Sequence, residues 1–295
     1  MLQSPISEAL AKLQNPSQNG LSGKPLDLLE TLFKFSRNYT EGFGEFLEEL
    51  LRSSFWKAQD YTSNPYPTLC LGLASLIDSY CANLGRPEPA YHSRKHFQDV
   101  CLALTALLSQ PLASHPKPES DDPWAISHEN AWVLLFCAVA HDFGHDGSTN
   151  EVPFELEKSS IEKTCTFLSQ NSSAPDLIKK LETKVESIIL ATDPSFLGAL
   201  LAKFTGSTAN FTRIDCMSML MVEADLLASI LPIHSKLLGK LLGQEWESSN
   251  PKAAASVASD QGRLKFLECV RFISPHAIML KMEDIRNQSI ELIKD

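Results

Sequence analysis

The chain has 295 residues, 43% hydrophobic and 21% charged, with 36 acidic against 26 basic side chains and a net charge of -10. That much apolar material builds a large core. The acidic balance excludes a generic nucleic-acid-binding surface but not a small phosphoester, because bound cations supply positive charge locally.

Residues 1–24 are rich in Ser, Asn, Gln, Pro and Gly and read as a loose lead-in. From Leu26 the apolar spacing is helical: Leu28, Leu29, Leu32 and Phe33 share a face, and Phe43, Phe46, Leu47, Leu50 and Leu51 repeat it. A helix from about Thr68 to Leu84 stops at Gly85-Arg86-Pro87-Glu88-Pro89. The next is expected from Ser93 to Leu108, followed by a polar loop, Gln110 to Asp122. Glu129 to Ala140 is apolar nearly all round and therefore central. Helical periodicity returns over Lys158–Leu168, Asp176–Leu190, Arg213–Leu231 and Lys236–Trp246, then over Ala254–Phe272 and Pro275–Ile293. No β alternation or internal repeat interrupts it, so the expected architecture is all-α, one domain over 25–295.

The cysteines, Cys70, Cys81, Cys101, Cys137, Cys165, Cys216 and Cys269, form no CxxC pair and are odd in number. Buried thiols in a reducing compartment explain them better than disulfides or a cysteine–zinc site. The apolar run Ala131–Ala140 falls short of the ~20 residues that span a bilayer. The N-terminus lacks a signal-peptide layout. A cytoplasmic protein without a membrane or nucleic-acid-polymer partner is the expectation.

Two segments concentrate ligand-type side chains: Tyr91-His92-Ser93-Arg94-Lys95-His96 and His141-Asp142-Phe143-Gly144-His145. Each places histidines four positions apart, on one face if helical. His96, His141 and Asp142 offer imidazole nitrogen and carboxylate oxygen to a divalent cation. Asp225 is the best fourth ligand, since a carboxylate inside the apolar stretch Met217–Leu227 needs a partner. Surface or capping roles remain open for each residue taken singly.

The ordered combination resembles the HD-domain metal phosphohydrolases, and more finely the catalytic domain of class I 3',5'-cyclic nucleotide phosphodiesterases. Their YHxxxHxxDV is met by Tyr91 through Val100, HDxxHxGxxN by His141 through Asn150, SxxE by Ser159-Ser160-Ile161-Glu162, LATD by Leu190 through Asp193, and ADL by Ala224-Asp225-Leu226. The resemblance implies that His96, His141, Asp142 and Asp225 hold a first metal, zinc, and that Asp142 bridges to a second, magnesium or manganese. His145, Glu162 and Thr192 would orient metal-bound waters, with Asn150 and Asp193 in support. His92 would be the general acid for attack by a metal-bridging hydroxide. Other roles stay open: His145 as a helix cap, Glu162 as a solvated residue, Thr192 bonded to its own backbone.

The base-reading pattern QxGF is not met. Aligned on Gly262, its glutamine position holds Asp260 and its phenylalanine position Arg263. Tyr91, Arg263 and Phe266 are the expected substrate contacts. Arg263 either meets an anion bidentately or lies on the surface. The implied activity is hydrolysis of a cyclic nucleotide or related phosphoester. A broader HD-type nucleotide phosphatase and a metal-binding nucleotide sensor without turnover are the alternatives. A homodimer stays open.

Overall fold

The computed structural model describes residues 5–14, 25–111, 121–171, 174–205 and 210–294. Among them the fold is all-α, without a strand. The helices in chain order are α1 (Pro5–Gln14), α2 (Pro25–Asn38), α3 (Phe43–Leu51), α4 (Ser54–Gln59), α5 (Tyr66–Ala82), α6 (Arg94–Leu108), α7 (His128–Ala140) and α8 (Glu155–Asn171). They continue with α9 (Pro175–Leu190), α10 (Leu197–Phe204), α11 (Arg213–Ile230), α12 (Pro232–Trp246), α13 (Pro251–Val257), α14 (Asp260–Cys269), α15 (Pro275–Met279) and α16 (Met282–Lys294). No single helix among the described residues is long and apolar enough to cross a membrane.

The centre is made by α6, α7 and α11, which pack on one another and are ringed by α3, α5 and α9. All of α7 from Asn130 to Ala140 is buried, as its all-round apolar sequence requires. Ser127 caps it by accepting the Asn130 N–H. α11 starts on a capping box: the Thr212 hydroxyl accepts the Asp215 N–H while the Asp215 carboxylate accepts the Thr212 N–H.

Several boundaries differ from those expected. Pro5–Gln14, inside the stretch read as a loose lead-in, is a helix whose Ile6, Leu10 and Leu13 are buried, a face that the surrounding polar residues masked. The rest of that lead-in, and residues 112–120 of the loop before α7, lie outside the described residues. The run Ala254–Phe272 breaks into α13 and α14 because Ser259 turns extended and its hydroxyl accepts the Gly262 N–H. Pro275–Ile293 breaks at Lys281, which takes a left-handed φ of 59°.

One polar knot crosses this core. Asp99 on α6 is 1% exposed and accepts from Ser36 Oγ at 2.8 Å and from Arg37 Nη2 at 2.5 Å, while His234 Nε2 lies 3.4 Å away. Burial works against its charge, but Arg37 and the other donors win and hold the carboxyl below its ordinary range. The knot ties α2 and α12 to α6. On the other side of α12, α13 and α14 approach closely: a Cβ on Gly262 would overlap the Ser256 carbonyl oxygen.

All seven cysteines are free. Burial pushes the Cys216 thiol up to about 12, as befits an inert packing residue.

Candidate metal centre and active site

Four side chains from three helices meet at one point. His96 comes from the first turn of α6, His141 and Asp142 from the C-terminal end of α7, and Asp225 from α11. His96 Nε2 lies 3.1 Å from Asp225 Oδ1, 3.2 Å from Asp142 Oδ2 and 3.2 Å from His141 Nε2. His141 Nε2 lies 3.1 Å from Asp142 Oδ2 and 3.8 Å from Asp225 Oδ1. Around a cation with bonds of about 2.0–2.1 Å, tetrahedral ligand atoms stand about 3.3 Å apart. The donor set therefore fits a divalent metal in both chemistry and spacing. His141 Nδ1 donates to the Ala138 carbonyl at 3.0 Å, which leaves the Nε2 lone pair for the cation.

The electrostatics agree. Burial alone would lower the pKa of His96, but Asp142 and Asp225 outweigh it and push the imidazole up to about 10. A place that binds a proton so firmly between two carboxylates is a place for a cation.

The turn after α7 depends on glycine. Gly144 has φ of +79°, and a Cβ there would lie 2.6 Å from Lys163 Cε. This turn brings the His145 ring parallel to His92, centroids 3.7 Å apart at 19°. The Gly147 N–H donates to His145 Nδ1 at 3.0 Å. Burial, helped by His92, brings the His145 pKa down to about 4, so the ring is neutral and its free proton sits on Nε2.

His92 is not on a helix, in keeping with a helix expected to begin at Ser93. It lies two residues before α6, with its backbone N–H and that of Tyr91 donating to Glu245 Oε2 at 3.0 and 2.8 Å. The helix starts only at Arg94, because Ser93 is extended and the Glu88 carboxylate accepts the Arg94 N–H at 2.9 Å. His92 Nδ1 donates to Glu245 Oε1 at 2.5 Å. Burial disfavours the charge on Glu245, but the bonds from His92 and Tyr91 outweigh it and keep the carboxylate ionised. One buried carboxylate thus fixes both backbone and ring of His92, leaving Nε2 to act.

A cavity of about 620 Å³ opens on these residues. At the metal end it is lined by His92, His96, Asp142, His145 and Asp225; Tyr91, Thr192, Arg263 and Phe266 also line it. The Tyr91 ring lies against those of His92 and His96, with centroids 4.7 and 4.9 Å away, and Thr192 bonds its own backbone at Ile189 O, 2.8 Å. Arg263 is buried rather than superficial: its Nη1 donates to Asp260 and its Nη2 to Ser235 Oγ, both at 2.8 Å.

Glu162 is exposed and does not line the cavity. The carboxylate that does is Glu157, five positions earlier, about 140° round the helix. It accepts from Asn150 Nδ2 at 2.9 Å, and burial raises its pKa. No motif letter singled out Glu157, because SxxE was matched on Ser159–Glu162, about one and a half turns further along the same helix. Asn150 also donates to Asp193 Oδ2 at 3.1 Å, so the two supporting residues lock the loop between α7 and α8 to the end of α9. Glu245 carries no motif, and nothing in its spacing announces it.

No known family profile matches the chain, and no curated protein matches it by sequence. Solved structures do match, and they define the fold. The phosphodiesterase domain of the Salpingoeca rosetta rhodopsin phosphodiesterase covers 84% of this chain and 93% of its own, with a TM-score of 0.58 at 16% identity. LmjPDEB1 in complex with IBMX covers 97% of this chain and 90% of its own, with a TM-score of 0.59 at 14% identity. The chain has the all-α fold of phosphodiesterase catalytic domains.

Proposed function

We propose that this chain is a metal-dependent phosphodiesterase acting on a 3',5'-cyclic nucleotide or a closely related phosphoester. The observation that carries the proposal is the convergence of His96, His141, Asp142 and Asp225 at one end of a cavity also lined by His92, which is held on Glu245. The fold shared with phosphodiesterase domains, one of them solved with the small molecule IBMX, supports it.

Two imidazoles and two carboxylates suit zinc as the first ion, and the remaining oxygen of Asp142 suits magnesium or manganese as the second. Such cations activate water and neutralise charge on a phosphoryl group. The remaining work falls to the chain. Tyr91 and the apolar cavity wall position the ester, and His145 and Glu157 orient water beside the cations. His92 gives its Nε2 proton to the departing alkoxide oxygen while Nδ1 stays bonded to Glu245.

The replaced clamp positions, Asp260 and Arg263, favour a second reading, a nucleotide phosphatase of broader scope. The test is purified protein with manganese, offered cyclic AMP, cyclic GMP, an aryl phosphodiester and nucleoside monophosphates. Diester cleavage supports the proposal, and release of phosphate from monoesters alone supports the second reading. Stoichiometric metal without any turnover points to a sensor. Asp225→Ala should lose metal and activity together, whereas His92→Ala should keep metal and lose ~10²–10⁴-fold in turnover. An active Asp225→Ala protein would refute the ligand assignment.

A further inference from the structure

Glu245, which holds His92, stands at the far end of a helix whose direction α11 does not set. α11 carries Asp225, but the chain bends by 97° between it and α12, at the extended Leu231. Helix continuity therefore leaves the aim of α12 to its tertiary contacts, and three residues of α2 seat its first turn. Glu30, Phe33 and Arg37 are three and four positions apart, on one face of α2. The Ile233 N–H donates to Glu30 Oε1 at 2.8 Å. The Phe33 and His234 rings pack with centroids 5.4 Å apart, and Arg37 Nε donates to His234 Nε2 at 3.3 Å.

Arg37 is held in turn by α6. Its Nη2 donates to Asp99 Oδ2, and Ser36 Oγ donates to the other oxygen of that buried carboxylate. Asp99 lies three residues after His96, so the first turn of α12 is registered against the helix that carries one of the four converging ligands. From His234 to Glu245 is close to three whole turns, and the two side chains leave nearly the same face of α12 about 16 Å apart. A tilt of about 5° at the first turn would move Glu245, and His92 with it, by about 1.4 Å. Displacing a reacting group by ~1 Å can cost ~10²-fold in rate.

We infer that His234, held by Arg37 and Asp99, is a positioning residue for the reaction. It registers α12 on α6, and so keeps Glu245, and through it the His92 Nε2 proton, aimed at the leaving oxygen. The inference rests on the phosphodiesterase reading for its effect on rate but not for the structural coupling. That effect is selective. A proton donor matters to an alkoxide leaving group and little to an aryloxide, which departs as a stable anion. A variant that spoils only the aim of His92 therefore slows cyclic-nucleotide cleavage and spares an aryl diester. A variant that loosens the ligand set or the fold slows both.

Three variants test it. His234→Leu fills the space without an acceptor, and His234→Gln returns an amide that can accept from Arg37. Arg37→Lys keeps a cation on Asp99 but gives up the arm to His234. Each manganese-loaded protein is assayed with cyclic AMP, cyclic GMP and an aryl phosphodiester, and its metal content is measured. His234→Leu and Arg37→Lys should lose at least about tenfold in kcat on the cyclic nucleotides. On the aryl diester they should lose less than about threefold, with metal content unchanged. His234→Gln should recover most of the loss. Equal losses on both substrate types, or no loss in folded His234→Leu, overturn the inference. If His234→Leu does not fold, Arg37→Lys decides by the same criteria. A second measurement needs no turnover: in protein carrying nitrogen-labelled histidine, the low-field proton on His92 Nδ1 is identified by its absence in His92→Asn. That signal should shift or vanish in His234→Leu and Arg37→Lys, and an unchanged signal overturns the inference. If the wild type cleaves no cyclic nucleotide, the proposed substrate class fails and the His92 signal alone decides.

Discussion

Glu245 shows how much one side chain can set. Its two oxygens take three N–H groups, two from the backbone of Tyr91 and His92 and one from the His92 ring. Replacing it by glutamine puts an NH2 group where one of those acceptors stood. Glu245→Gln should therefore lower turnover by at least about tenfold, within the range general-acid catalysis supplies, and leave metal content intact by elemental analysis. Loss of metal in that variant would mean that Glu245 supports the ligands instead. A second expectation concerns protons. His96 is held up to about 10 by Asp142 and Asp225 against the effect of burial, so below that pH an incoming cation displaces a proton. Metal affinity should fall as pH is lowered, and calorimetry in buffers of different ionisation enthalpy should register proton release. A proton-neutral uptake would be incompatible with His96 as a ligand. At this scale the motif residues were legible because imidazole and carboxylate side chains cluster at short spacings in the sequence, and folding brings His96, His141, Asp142 and Asp225 together. Glu245 was not, because a carboxylate that accepts backbone N–H groups looks like any other glutamate until the chain is folded. Glu162 misled for a related reason: two glutamates in one helix compete for one motif, and only helical phase separates them.

Among the elements, periodicity located the long helices well and their ends poorly. α7 and α11 announced themselves through long apolar runs, since no surface position interrupts a central helix. α1 hid because short helices depend on tertiary contacts, here through Ile6 and Leu10, more than on local signal. The break between α13 and α14 turns on a serine cap and on the close approach at Gly262, neither visible as a change in hydrophobic period. The contact of α2 with α6 and α12, which no sequence pattern announced, carries a buried charge network at Asp99. Removing the carboxylate leaves Arg37 uncompensated, and breaking a buried pair costs roughly 3–5 kcal/mol. Asp99→Ala should show that loss in chemical denaturation, whereas a change under about 1 kcal/mol would mean that solvent reaches Arg37 and replaces the partner.

On the scale of the whole molecule, the ligand set joins α6, α7 and α11, the helices that make the core. On the proposed metal assignment, binding and folding would be linked: a cation at a hundred times its dissociation constant would add about 2.7 kcal/mol to stability. Chelation should lower the melting temperature of the wild type, and Asp225→Ala should melt at the chelated temperature with or without added metal. A wild type indifferent to chelator would mean that these four residues hold no cation. α12 also joins distant parts of the site: the seat of Arg263 lies near its start and the clamp on His92 near its end. On the proposed function, a molecule that displaces the first end would spoil the aim of the proton donor at the second, and would be cut slowly even with its ester squarely over the ligand set.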